Sequence, residues 1–295
     1  MIISQIYGGL GNQMFQYALG KKLALLHRTP LKLDNSWFQS DMKGTAFREY
    51  ELTYFNISAT SASEVEIADV VEPFPFLIQK IFNRINARLP YYKQRVVLEK
   101  HFHFDPNILR VGKNAYMNGY WQSEKYFADI REALLKEFSF KISLDNVNQA
   151  LADIIGKTES VSLHVRRADY VYQKEVTQIL GVCPPEYYER AVQHIRSKIE
   201  QPVFFVFSDD IEWCRKNLLL HEETYFVDNN KGANSYRDMQ LMSLCRHNIV
   251  ANSSFSWWGA WLNQNRDKIV IAPQRWFTDA SINDRDLIPE KWLRL

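Results

Sequence analysis

The feature that most constrains this fold is a regular alternation that sets in after Leu151. Short apolar runs (SVSLHVRR, VFFVFS, TYFV, NIVAN, KIVIAP) take turns with the amphipathic stretches PEYYERAVQHIRSKI, IEWCRKNLLL, SYRDMQLMSLCR and FSWWGAWLN. Strands alternating with helices predict a parallel sheet covered by helices on both faces. In such a sheet ligands bind outside the carboxyl ends of the strands. Those ends read His164-Val165-Arg166-Arg167-Ala168-Asp169, Ser208-Asp209-Asp210 and Asn252-Ser253-Ser254, each polar after an apolar strand. Three polar strand ends in register predict one shared site.

The amino-terminal half is less regular but opens on a glycine-punctuated stretch, IYGGLGNQMFQYALGKKL. Ile2, Ile3 and Ile6 predict a short strand, and Met14, Phe15, Ala18 and Leu19 recur at helical spacing, so Gly8, Gly9 and Gly11 mark a strand-to-helix turn. Backbone N–H groups at such a turn point outward, where they meet an anion or a sugar hydroxyl. A dinucleotide fingerprint is excluded, because Met14 stands where its third glycine belongs. A P-loop is excluded too, because Gly20-Lys21 is followed by Lys22. Asn12 and Gln13 offer uncharged amides suited to hydroxyls and phosphate oxygens, with helix capping the alternative role for Asn12.

A chain of 295 residues accommodates two domains of roughly 150 residues; the change of pattern puts them at 1–155 and 156–295. An apolar fraction of 46% against 24% charged is enough for a globular core, and a net charge of +2 argues against a nucleic-acid footprint. Lys and Arg gathered on one face would still suit a membrane or a phosphate ligand. Cys183, Cys214 and Cys245 are too few and too scattered for a disulfide framework or a zinc site, which suits a reducing cytosol. No basic leader follows Met1 and no apolar run approaches the roughly 18 residues of a spanning helix. The expectation is a cytoplasmic protein that is neither secreted by a signal peptide nor membrane-spanning, with peripheral association at the inner membrane left open. The aromatic-rich segment from Val70 to Tyr92, with Pro73, Pro75 and Pro90, reads as a helical excursion packed on the core.

The strand ends carry the chemistry. Val161, Leu163 and Val165 alternate on one face, so His164 and Arg166 share the other. A guanidinium at Arg166 can fork onto a diphosphate, in place of the metal that many nucleotide-sugar enzymes use at the leaving group. The alternative is an ion pair from Arg166 or Arg167 to Asp169. Ser253, Ser254 and Ser256 bring hydroxyls and free N–H groups to a helix start, a second place favoured by phosphate. Trp257, Trp258 and Trp261 read as core. Asp209, Asp210 and Asp238 are each either helix caps or acceptors for a guanine base. Asp209 and Asp210 are adjacent, so their side chains point apart and make a poor metal pair. HFHFDP, with His101, His103 and Asp105 alternating, imitates a zinc site, but Pro106 occupies the place of a further ligand, and a surface or interdomain strand is the better reading.

GGLGNQMFQYA, YWQSEKYF from Tyr120 to Phe127, HVRRADY, FSDD and NSSFSWWGAWL, in this order, resemble the bacterial α-1,2-fucosyltransferases, an inverting family with an HxRRxD motif. The resemblance spans nearly the whole chain. It implies an α/β fold, a GT-B-like variant of two Rossmann-like domains facing a cleft, the first on the acceptor side and the second binding the donor. It implies GDP-fucose as donor and transfer of L-fucose, with inversion and without a metal or other cofactor, to the 2-hydroxyl of a terminal β-galactoside in surface polysaccharide or glycan synthesis. The acceptor would be lactose-like or a lipid-linked oligosaccharide. Carried over by position, Arg166 would hold the β-phosphate and Ser253, Ser254 and Ser256 would line the phosphate and ribose pocket. His164, Asp210 and Asp238 would meet the donor's nucleotide, and Gly9, Gly11, Asn12 and Gln13 would close on the fucosyl phosphate from across the cleft.

Inversion calls for a base that takes the proton of the attacking hydroxyl. Asp169 is the first candidate. Glu175 is its rival, near the place where a glutamate serves the α-1,6 relatives but shifted by a residue. Another GDP-sugar transferase and a non-catalytic nucleotide- or glycan-binding module are the competing readings. An oxidoreductase is disfavoured by the failed glycine fingerprint.

Overall fold

The computed structural model describes residues 1–39, 48–72, 76–167, 171 and 174–295. The first part of the chain runs β1 (Ile2–Gln5), α1 (Leu10–His27), β2 (Leu31–Asp34), β3 (Thr60–Ser61), α2 (Glu64–Val71), α3 (Phe76–Asn86), β4 (Val96–Leu98), β5 (Ala115–Asn118) and α4 (Arg131–Glu137). The strands form a parallel sheet of order β3-β2-β1-β5-β4. Side-chain alternation on β1 sets the layers. Ser4 turns to α1 and donates to the Gln16 carbonyl at 2.8 Å, whereas Ile3 packs with Tyr116, Val70 and Ile67 under α2. Within the segment from Val70 to Tyr92, Phe76–Asn86 is helical as expected, but α3 departs from the expectation that it packs its apolar side on the core: Ile78, Ile81 and Ile85 are exposed.

The chain continues with α5 (Asn146–Lys157), β6 (Glu159–Val165), α6 (Lys174–Ile179), α7 (Pro185–Arg196), β7 (Pro202–Ser208), α8 (Ile211–Asn217), β8 (Thr224–Val227), α9 (Tyr236–Leu244), β9 (His247–Ile249), α10 (Ser254–Leu262), β10 (Val270–Ala272) and β11 (Leu293–Arg294). The sheet order is β11-β10-β9-β6-β7-β8, again parallel, with helices on both faces. Val161, Leu163 and Val165 of β6 pack with Tyr187, Ala191 and Ile195 of α7. Phe205 and Phe207 of β7 face the other way, toward Leu241 and Met242 of α9 and Ile155 of α5. Trp257, Trp258 and Trp261 are buried in the core, as their helical spacing predicts. The three cysteines are buried and free.

Contacts divide the chain into Met1–Lys141 with Arg285–Leu287, and Ile142–Asp284 with Ile288–Leu295. The expected boundary at residue 155 therefore cuts through α5, whose Ile155 belongs to the second core.

One connection in the first unit is conformationally unusual. Trp121 is buried yet has φ 57, a conformation a bulky residue adopts only when its surroundings impose it. Glu99 imposes it by accepting the N–H groups of Tyr120 at 2.7 Å and Trp121 at 3.0 Å. Gly119 permits the approach: a Cβ there would lie 2.4 Å from that of Glu99. Burial outweighs the two N–H donors and pushes the Glu99 carboxyl up from 4.5 to about 7.

Two outcomes follow for stability. Trp258→Ala empties a fully buried site and is expected to cost about 3–5 kcal/mol in urea unfolding. Because the folded state raises the pKa of Glu99, the stability that its proton contributes is complete below about 4.5 and is lost as pH rises through about 7. Wild-type protein should therefore lose more stability between pH 5 and pH 8 than Glu99→Gln; equal losses would remove this assignment.

Candidate active site

In each sheet the order reverses beside a central strand, the place where open parallel sheets bind ligands. In the first unit the reversal lies between β1 and β5, so its crevice opens between the turn at Tyr7–Asn12 and the segment after Asn118. Gly8 has φ +76, and a Cβ there would stand 2.9 Å from Asn12 Nδ2, so glycine is required for the turn. Asn12 accepts from Gln122 Nε2 at 2.8 Å across the crevice, and the Tyr7 and Tyr120 rings meet edge to face at 5.0 Å with Trp37 beyond at 6.2 Å. This partly exposed aromatic group offers ring faces of the kind that pack against sugar C–H groups.

Gln13 does not take the role expected of it. Its side chain is buried, donating to the carbonyls of Gly8 at 2.9 Å and Glu49 at 2.8 Å and accepting the Glu51 N–H at 2.9 Å. Both amide protons are thereby committed, and the residue ties α1 to residues 49–51. Gly11 is buried in the first turn of α1. The N–H of Leu10 points at the Glu51 carboxylate, so the chain's own acid occupies this helix start. Burial raises that acid to about 7, and Arg48 opposes the shift. Of the four residues expected to close on the fucosyl phosphate, Gly9 and Asn12 remain partly exposed.

In the second unit the reversal lies between β6 and β9. His164, next to the end of β6, is buried beside the Phe255 ring, and its Nδ1 has no hydrogen-bond partner among the described residues. Desolvation, with the neighbouring Arg166 charge, holds it down to about 3, so the imidazole is neutral at physiological pH. A buried, unpaired ring nitrogen at a strand end calls for a ligand to pair it.

The two arginines are paired with the acids that end β7. Arg166 Nη1 lies 3.1 Å from Asp209 Oδ2. Asp209 Oδ1 accepts the Arg167 N–H at 2.8 Å, and Arg167 Nε reaches Asp210 Oδ2 at 3.3 Å while its guanidinium stacks on Trp213, 4.0 Å from the ring centroid. Asp210 also caps α8 through the Trp213 N–H. Each of its two oxygens thus makes a structural contact, and the capping role foreseen as the alternative to a donor contact is present. Arg166 remains partly exposed, oriented by Asp209. The alternative pairing with Asp169 falls outside the described residues, as do Asp169 itself and the side chain of Glu175.

Ser253 and Ser254 open α10 as expected, and the Ser253 hydroxyl makes no cap bond to its own helix. Ser256 does not face a ligand: it is 1% exposed, and its hydroxyl donates to the Ser253 carbonyl at 3.3 Å. Asp238 lies in the first turn of α9 and accepts from Asn230 Nδ2 at 2.8 Å, in an amide network with Asn148 and Asn229. Burial outweighs that bond and raises its carboxyl to about 7. In HFHFDP the two histidine rings stack at 5.1 Å, and Asp105 caps the short helix that follows. The expected strand is not formed there.

Sequence reasoning missed Tyr7, Trp37 and the Glu99–Trp121 support. Tyr7 precedes the glycine turn and Tyr120 lies in a segment already noted. What joins them is the register Ile2↔Ala115, which no local pattern reports.

The chain matches the model of glycosyl transferase family 11 from residue 78 to residue 295. The chain is 36% identical to an alpha-1,2-colitosyltransferase of Escherichia coli, over 100% of this chain and 99% of that one. It is 30% identical to a galactoside 2-alpha-L-fucosyltransferase Sec1 of Mus musculus, over 55% of this chain and 45% of the mouse protein. A solved structure of an Arabidopsis thaliana FUT1 mutant in complex with GDP shares the fold, with a TM-score of 0.51 at 13% identity over 92% of this chain and 70% of that one. The likeness is one of fold: two parallel-sheet units of the GT-B kind. The profile match and the full-length likeness agree, and the chain belongs to glycosyl transferase family 11 as a glycosyltransferase.

Proposed function

We propose that the enzyme transfers L-fucose from GDP-fucose, with inversion, to the 2-hydroxyl of a terminal β-galactoside. Full-length similarity to an enzyme named for α-1,2 transfer carries this reading. The placement of Arg166 beside the unpartnered His164 supports it. As the acceptor oxygen bonds to the anomeric carbon, the bond to GDP breaks and a second negative charge gathers on the diphosphate. Arg166, the Ser253 hydroxyl and the start of α10 at Ser254 are the groups to meet that charge, the Ser253 N–H being held by the Ala251 carbonyl at 2.7 Å. His164 Nδ1 pairs with the nucleotide. Asp169 takes the proton from the acceptor, with Glu175 the alternative, on the sequence motif alone.

The likeness to a colitosyltransferase favours a second donor. Colitose is L-fucose without its 3-hydroxyl, and a site that hydrogen-bonds a hydroxyl rejects the analogue lacking it by about 10⁴–10⁵, whereas a site that merely accommodates it discriminates far less. Purified enzyme with lactose and either GDP-fucose or GDP-colitose is the discriminating assay. Fucose on the galactose 2-hydroxyl is expected; turnover of GDP-colitose alone would transfer the assignment to the second donor, and turnover of GDP-mannose alone would remove both.

Asp209 and Asp210 are neutralised by Arg166 and Arg167, so we propose that the reaction needs no divalent cation. Activity should persist in excess EDTA. Arg166→Lys, which keeps the charge and loses the fork, should cost on the order of 2–4 kcal/mol in kcat/KM. Abolition by chelation with rescue by Mn²⁺ would overturn the arginine role.

A further inference from the structure

Helix α3 has its chemistry inverted. Its inward face carries amides: Gln79, 8% exposed, donates to the Val71 carbonyl at 2.6 Å. Asn86, 5% exposed, donates to the Val96 carbonyl at 2.6 Å and accepts the Arg95 N–H at 2.8 Å. These bonds fix the rotation of the helix. The opposite face presents Ile78, Ile81 and Ile85 at 52%, 61% and 51% exposure. Their spacing of three and four residues puts them in one stripe. A helix lying on a protein in water buries such a stripe; this one turns it outward.

The surroundings say what the stripe meets. Between Pro73 and Leu98 the sequence holds Lys80, Arg84, Arg88, Lys93 and Arg95 and no acid, so this segment carries +5 in a chain whose net charge is +2. Among the described residues Arg84 and Arg88 are exposed and make no ion pair, and exposed Tyr92 lies beside Lys93, whose Nζ is 5.7 Å from its ring centroid. A second copy presenting the same face would bring like charges together. An apolar stripe rimmed by unpaired cations and a tyrosine has the composition of a helix that lies in the plane of a bilayer. No helix among the described residues is long and apolar enough to cross one.

We propose that α3 docks the enzyme on an anionic lipid surface. Ile78, Ile81 and Ile85 enter the boundary between headgroups and acyl chains, while Arg84, Arg88 and Lys93 meet lipid phosphates. The docking is independent of which sugar is transferred.

Co-sedimentation with phosphatidylcholine vesicles, with and without phosphatidylglycerol, tests it. Binding should rise about tenfold with phosphatidylglycerol and fall in high salt. Ile81→Glu/Ile85→Glu and Arg84→Glu/Arg88→Glu should each lower binding about tenfold, with activity on soluble lactose and the thermal midpoint unchanged. Equal binding to both vesicle types, no binding by wild-type protein, or variants that sediment like wild type would overturn the proposal. So would a wild-type dimer in lipid-free sedimentation equilibrium that Ile81→Glu/Ile85→Glu dissociates.

Discussion

A parallel strand covered by helices on both faces has few places for a polar side chain other than its end. That constraint governs the second unit. Strand β6 is buried along its length, and its interior Ser162 is tolerated because Asn248 donates to it at 2.7 Å. Everything with chemical potential is pushed to the rim: His164, Arg166 and Arg167 after β6, Asp209 and Asp210 after β7, Ser253 and Ser254 after β9. Because β6 pairs with both β7 and β9, these three rims adjoin without any loop having to reach. The gathering of polar groups at one rim is thus a by-product of sheet order.

Buried amides do a comparable job in the irregular parts. Asn252 donates to the carbonyls of Leu180 at 2.8 Å and of Gly181 and Trp276, holding three separate segments together. Asn263 donates to the Cys245 carbonyl at 2.7 Å and to Asn248 Oδ1 at 2.8 Å. Gln13 and Asn86 do the same in the first unit. Each amide supplies two donors and an acceptor to backbone groups that no strand or helix satisfies. The same residue types serve hydroxyl ligands, so identity alone does not separate a clamp from a contact.

This ambiguity marks how far the sequence could be read. In the second unit the runs VFFVFS and TYFV coincide with β7 and β8 to within a residue, because period and composition are local properties. Arg166 and His164 were legible for the same reason: an apolar strand that breaks into charge announces its own end. Asp210 was less so, since capping and guanine recognition both ask for a carboxylate at that place, and the cap shows only once Arg167 and the Trp213 N–H are seen beside it. Gln13 was misread because its partners, Glu49 and Glu51, lie 36 and 38 residues on. The sheet of the first unit was illegible for a related reason: β4 and β5 lie some ninety residues or more beyond β1, and the chain between them gives no periodic signal.

The coupling of Arg166 to Asp209 bears on how the enzyme lets go. A bare guanidinium facing a diphosphate would hold the spent nucleotide tightly, and a catalyst that grips its product turns over slowly. Here each arginine already has a resident counter-ion at the end of the adjacent strand. An arriving anion must share the guanidinium with a carboxylate, and a departing one leaves behind an ion pair rather than an exposed cation stripped of company. In the proposed reaction the acids of β7 would act as a built-in competitor, trading some grip on the nucleotide for faster release.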